Sequence, residues 1–341
     1  MTLSANDVRQ MLRIATGATI GFTLSKLFNW PNGIFFTVYP MLLLGLVPVI
    51  NAHIARQFIA SALFCAFVVL VIQGLFGFHP VLMSLLAFVV FAFLFYQMSK
   101  GVNFLFGAMS VVGLSIQLHF ASYGTTTLGL YPLIVSNLLA VAVSLCSAYL
   151  MHYVFPDVAP RNMMPRPTKD SASVRHEVLL CASVTTISFI VFQVLDLQDS
   201  VSAQAASILI LFPLCWKAAG MAGWQRIIGT LIGCNLALVA QLLLFNYSQI
   251  LVFPVIVLWI LTFVFSRYHV LAGGMPGVGF GVITTFGILF GQSLAPNQDL
   301  VYSALYRFSS VFVAVAVSLC LVYLIHHLLN RYSATRHHTF D

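Results

Sequence analysis

Long apolar runs separated by short polar connections fill the chain from residue 10 to residue 329. A helix needs about 20 apolar residues to cross the hydrocarbon layer of a bilayer, and by that measure the pattern predicts about twelve spans. Six fall at 10–28, 33–50, 57–77, 79–98, 102–122 and 128–155, and six at 174–197, 201–216, 226–245, 250–268, 270–292 and 300–329. Helices are the expected form because lipid offers no partner to a free backbone N–H or C=O. Between the two sets, residues 156–173 carry Pro156, Pro160, Pro165 and Pro167 among charged side chains, a composition that favours an extended linker.

The two sets keep one register. Ala140 to Cys146 reads AVAVSLC and recurs letter for letter as Ala314 to Cys320. The same offset of 174 residues carries Tyr149, Leu150 and His152 onto Tyr323, Leu324 and His326. It also carries Phe106, Gly107 and Gly113 onto Phe280, Gly281 and Gly287. Two separated segments at one offset point to an internal duplication, a recurrent plan in membrane transporters. The predicted organisation is an all-α polytopic membrane protein with a first six-helix repeat over 1–155, a linker over 156–173, a second repeat over 174–330 and a tail over 331–341.

Charge placement orients this plan. When twelve spans are threaded, Arg9, Arg13, Arg56, Lys100, Arg161, Arg166, Lys169, Arg175, Lys217, Arg226, Arg267, Arg331 and Arg336 fall on one side, while Lys26 and Arg307 lie toward the other. Basic residues accumulate in cytoplasmic loops, so both termini and the linker are expected in the cytoplasm, which makes the two repeats parallel.

Composition narrows the class. The chain is 60% hydrophobic and 7% charged, against roughly 25% charged in soluble domains, which excludes a soluble globular protein. Its formal charge of +7 sits in short connections between apolar runs, and therefore reports orientation in a lipid bilayer and not a nucleic-acid partner. The first ten residues, with Asp7 and Arg9, lack the apolar core of a cleavable leader, so the first span is expected to do the targeting. All six cysteines lie in or at the end of apolar runs without metal-site spacing. No G-x-x-x-x-G-K-[ST] phosphate loop is present, no cofactor is expected, and no enzyme activity is predicted.

A few positions could carry chemistry. An ionisable group inside a membrane is costly and so points to function, which singles out Arg307 in the last span, where the aligned residue of the first half is Leu133. The alternative for Arg307, and still more for Lys26, is a side chain snorkelling to the headgroups. Arg56 and Arg226 open the third span of each half and Arg13 lies early in the first; these either anchor helices or line a vestibule that gathers anions. No Asp or Glu sits deep in a span, the nearest being Glu177, so no buried carboxylate relay is visible. His152 and Asp157 have a His-x-x-x-x-Asp spacing, but the second copy runs from His326 to Arg331. His326, His327, His337 and His338 are expected to be solvated in a cytoplasmic tail. Gly273, Gly274, Pro276, Gly277, Gly279 and Gly281 interrupt the eleventh predicted span, and broken spans mark binding sites in transporters, whereas G-x-x-x-G spacing at Gly229–Gly233 and Gly277–Gly281 also suits close helix packing.

The chain resembles the fusaric acid resistance and aromatic acid exporter superfamily of bacterial inner-membrane proteins. The resemblance is carried by Val8-Arg9-Gln10-Met11-Leu12-Arg13-Ile14-Ala15, by Arg226-Ile227-Ile228-Gly229-Thr230-Leu231-Ile232-Gly233 and by Tyr306-Arg307-Phe308. It lacks the large central domain of the bigger exporters, and the position matching Gly229-Thr230 in the first half is Ile59-Ala60. The resemblance implies export of small organic anions, often aromatic carboxylates, across the inner membrane, with a periplasmic adaptor of the membrane-fusion type as partner. A homo-oligomer is compatible with it. The candidate substrate-binding set is Arg307, Arg226, Arg56, Thr230, Pro276, Gly277 and Gly281. An organic-anion channel is the near alternative; a membrane-embedded envelope enzyme and a non-transporting scaffold stand further off.

Overall fold

The computed structural model describes residues 3–123, 127–161, 169–197, 200–244, 247–248, 250–273, 277–292 and 300–336. Among them are twelve α-helices and no strand. They are α1 (Ala5–Leu27), α2 (Gly33–Leu46), α3 (Ala52–Phe76), α4 (Pro80–Lys100), α5 (Phe104–Tyr123) and α6 (Thr127–Val154), followed by α7 (Ser171–Val194), α8 (Val201–Leu209), α9 (Trp216–Leu243), α10 (Val252–Leu271), α11 (Val278–Gln292) and α12 (Leu300–Leu329). Eight of these, α3 to α7, α9, α10 and α12, are long and apolar enough to cross a membrane, and α2 and α11 are shorter apolar helices.

Local chemistry sets the helix ends. Ser4 caps α1 in a reciprocal box, its hydroxyl accepting from the Asp7 N–H while the Asp7 carboxylate accepts from the Ser4 N–H at 2.8 Å. Asp170 caps α7 by accepting from the Ala172 N–H. Pro80 opens α4, where its missing N–H is no loss, and Gly101 closes the helix at φ +84°, a left-handed conformation that favours glycine.

The chain folds into two compact units, each drawing on both halves of the sequence. Unit 1 comprises Met1–Ala55, Val135–Met163 and Gln225–Ser309, and unit 2 comprises Arg56–Ile134, Met164–Trp224 and Ser310–Asp341. In unit 1, α1 packs on α2 and α10, while α11 packs on α10 and α2. In unit 2, α7 packs on α8 and α4, while α5 packs on α4 and α8. A step of six along the helix order, taken around the twelve, turns one ring of contacts into the other.

Three boundaries differ from the hydrophobic pattern. α8 is nine residues long, and the chain turns before Trp216, where α9 begins, ten positions ahead of the expected start at 226. Lys217, Gly220 and Gly223 dilute the apolar signal there without breaking the helix, since none blocks the backbone ladder as proline does. The glycine-rich stretch does not interrupt a span: α10 ends at Leu271 and α11 begins at Val278, so Gly273, at φ +74°, and Gly277 belong to the connection between them. Pro276 lies outside the described residues.

Candidate functional site

Because α9 starts at Trp216, Arg226 is its eleventh residue, about 15 Å along the axis from Trp216 at 1.5 Å per residue. It is therefore not a headgroup anchor at a helix end. The buried face of α9 runs through Arg226, Gly229, Thr230, Gly233, Cys234, Ala237 and Ala240, at helical spacing and almost wholly of small residues, whereas Leu231, Val239 and Leu242 point outward. Small residues let α11 come close. A Cβ built on Gly229 would stand 2.8 Å from the Val278 carbonyl oxygen and 2.9 Å from the Gly281 Cα. One on Gly233 would meet the Thr285 Cβ at 2.9 Å. Gly229, Gly233 and Gly281 thus serve backbone-to-backbone contact, the packing reading of their spacing.

Against this seam Arg226 is 6% exposed and its Nη1 donates to the Thr284 hydroxyl at 2.9 Å. That hydroxyl in turn donates to the Phe280 carbonyl at 2.7 Å, so its oxygen acts as acceptor toward the guanidinium. Among the described residues no carboxylate pairs with Arg226, and its Nε has no hydrogen-bond partner. The buried hydroxyls of Thr230 and Thr285 have none either. The Cys234 thiol stands in the electrostatic field of both Arg226 and Arg307. Arg307 itself is half-buried. A guanidinium at mid-helix costs about 2.5–3.5 kcal/mol on insertion scales, which makes Arg226 a candidate for function.

The other sequence candidates separate from this group. Arg56 is exposed near the start of α3 and belongs to unit 2. At the 174-residue offset it aligns with Thr230, not with Arg226. Arg13, expected at the headgroups, is 1% exposed, paired with Asp157 and bonded to the Pro48 carbonyl. Asp157 also meets Arg161 at 3.3 Å, and Arg161 reaches Gln10, so the start of the linker is tied to α1. The His152 ring faces the Ala148 and Pro48 carbonyls, so His152 and Asp157 form no acid–base pair with each other.

Two polar groups of unit 2, Glu177 and the His176–His326 pair, are buried and partnered in a way the sequence did not predict. Glu177 is 4% exposed, accepts from Ser99 at 2.7 Å and holds Lys169 through both carboxylate oxygens. His176 meets His326 at 2.9 Å, and His326 lies beside the Trp216 ring instead of standing solvated in a tail. The one sequence signal for either was that α7 begins with charged residues followed at once by an apolar run. Among the described residues no three His, Cys, Asp or Glu side chains converge to hold a metal.

The fold is that of an all-helical, multi-pass membrane protein whose buried charge faces a close helix seam. Residues 10–151 match a family described as a protein of unknown function (DUF2955), and residues 186–321 match a family described as fusaric acid resistance protein-like. Together the two matches support the resemblance to the fusaric acid resistance and aromatic acid exporter superfamily. With the apolar helices, the second match supports a membrane transporter of the fusaric acid resistance type. Neither a curated protein nor a solved structure matches the chain.

Proposed function

We propose that the protein exports small organic anions, aromatic carboxylates among them, across a bacterial inner membrane, and that Arg226 binds the anionic group on its way. The observation that carries this is a buried guanidinium in the middle of α9 whose described partner is the Thr284 hydroxyl and which no carboxylate among the described residues neutralises. A carboxylate can take two parallel N–H bonds from such a group, and the hydroxyls of Thr230 and Thr285 are on hand to complete its shell. Arg307, sharing the field at Cys234, extends the positive region along unit 1. The outward step is favoured by the membrane potential, worth about 2.3 kcal/mol per charge per 100 mV.

The matching contact rings of the two units support a duplicated design, in which the twelve helices form two parallel repeats of six with both termini in the cytoplasm. A periplasmic adaptor of the membrane-fusion type is the partner this reading needs to carry the anion past the outer membrane.

The test is the accumulation of radiolabelled aromatic carboxylates in cells with and without the protein, with a candidate adaptor co-expressed. Cells with the protein retain less label, and Arg226→Gln removes the difference while membrane insertion stays normal. Equal retention with and without the protein would sink the transport reading, and full export by Arg226→Gln would remove Arg226 from the path.

A further inference from the structure

Unit 2 contains a cavity of about 430 Å³ where the end of α4, the start of α7 and the turn after α8 meet. Its walls combine two kinds of surface. Lys100 and Lys169 supply ammonium groups, and Phe104, Val174, Phe212 and Leu214 supply an apolar side. The wall after α8 is held in an unusual shape, for Leu214 adopts φ +59°, a left-handed conformation that a branched side chain seldom takes. A strained backbone of that kind persists where the surroundings over-determine it, and such places cluster at ligand sites.

The charges at the cavity are not arranged as a simple surface pair. Lys169 is 32% exposed toward the open side, while the Glu177 carboxylate that holds it is 5% exposed and is fixed from behind by the buried Ser99 hydroxyl. Glu177 cannot follow Lys169 outward, because Ser99 and its own helix pin it. Lys169 lies just ahead of α7, whose first turn is already capped by the Asp170 carboxylate, so the cationic anchor at this wall is the Lys169 ammonium and not the helix end. Lys100 also lines the cavity, with its ammonium over the Tyr96 ring at 5.5 Å. A ligand that carries one carboxylate and one flat apolar body satisfies both surfaces at once, and its carboxylate competes with Glu177 for Lys169.

We infer that this cavity is a second binding site, for amphipathic organic anions, in which Lys169 is the anchoring cation and Glu177 is a resident competitor that keeps affinity low and release fast. The proposed function lends it the ligand class, but the site rests on the geometry of unit 2 alone.

The test is calorimetric titration of the full-length protein in lipid nanodiscs with benzoate, repeated in the Arg226→Gln background so that binding in unit 1 does not mask the result. Lys169→Gln weakens benzoate about tenfold, Lys169→Arg keeps it, and Glu177→Gln, which frees the ammonium, strengthens it about threefold. Benzylammonium, the same ring with the opposite charge, does not bind. A purely structural ion pair would make both Lys169→Gln and Glu177→Gln lose affinity or fold poorly, and that result, or unchanged affinity in both, overturns the inference. Transport of the same label in proteoliposomes separates the two ideas: opposite shifts in binding without any transport leave the cavity standing and the export reading fallen, and transport with no response at Lys169 or Glu177 does the reverse.

Discussion

The α9–α11 seam of unit 1 and the α3–α5 seam of unit 2 occupy aligned stretches of the two halves and are built from different materials. Thr284 aligns with Ser110, Gly281 with Gly107 and Gly287 with Gly113 at the shared offset of 174 residues. In unit 1 the helices touch through glycine backbones, and Thr284 receives the Arg226 guanidinium. In unit 2 side chains stand between the helices. The Cys65 thiol donates to the Ser110 carbonyl, the Gln57 side chain bridges to Phe106 and Val102, and Gln73 donates to the Ala121 carbonyl at 3.0 Å. Phe64 meets Phe106 edge-on with ring centres 5.5 Å apart. The Ser110 hydroxyl has no hydrogen-bond partner among the described residues. The aligned stretches thus differ in what fills the seam: glycine backbone contact and a buried guanidinium in unit 1, and side chains in unit 2.

Removing the charges separates the two seams most. Arg226→Gln is expected to lower carboxylate transport by about tenfold or more, the loss of at least about 1.4 kcal/mol of binding to the passing anion. Arg56→Gln, on the exposed start of α3, is expected to change it less than about twofold, as surface charges do at physiological salt. Because Arg226 has no carboxylate partner among the described residues to leave stranded, its replacement is also expected to hold or raise the thermal midpoint, measured by size-exclusion chromatography after heating. Equal transport losses in the two variants would show that the seams do not differ in function.

Backbone contact gives the next largest contrast. Gly229→Ala puts a methyl group against the Val278 carbonyl and Gly281, neither of which can turn aside, so α9 and α11 must separate. A cost of about 2–3 kcal/mol is expected, near the upper range for overpacking. Gly113→Ala meets only the Cys65 sulfur, at 3.3 Å, and a side chain can shift by a few tenths of an ångström; less than about 1 kcal/mol is expected. Unfolding in detergent with increasing denaturant compares the two, and similar losses would mean that the unit 1 helices are free to move apart.

How much of this was legible in the sequence follows from which forces leave a pattern. Helices written in long apolar runs were legible, and the predicted last span, 300–329, coincides with α12. The AVAVSLC repeat fixed the register that pairs Thr284 with Ser110. The start of α9 was not legible, since Lys217 and two glycines look like a loop to any hydropathy measure yet remain compatible with a helix. That error moved Arg226 from a helix end to a helix middle. The exchange of segments between units was also hidden: nothing in α1 alone says that it packs on α10. Pairing partners such as Asp157 for Arg13 and Lys169 for Glu177 depend on how chain connections return, 144 and 8 residues apart, and a charge count cannot distinguish them from solvated side chains.

The smallest contrast is a single hydroxyl on each seam, and it has opposite expected signs. Thr284→Val keeps the shape of the side chain and removes the acceptor that Arg226 Nη1 uses, leaving a buried charged donor unmatched. Such a loss costs about 1–2 kcal/mol within the range for unsatisfied polar groups. Ser110→Ala removes a hydroxyl that bonds to no described residue and leaves the Ser110 carbonyl, with its contact from Cys65, in place. Deleting an unpartnered buried polar atom is neutral or stabilising, by a few tenths of a kcal/mol up to about 1. The same denaturant titration reads both. If Thr284→Val proves as harmless as Ser110→Ala, the guanidinium must find its main support elsewhere than α11, and the two seams differ in packing but not in how they hold charge.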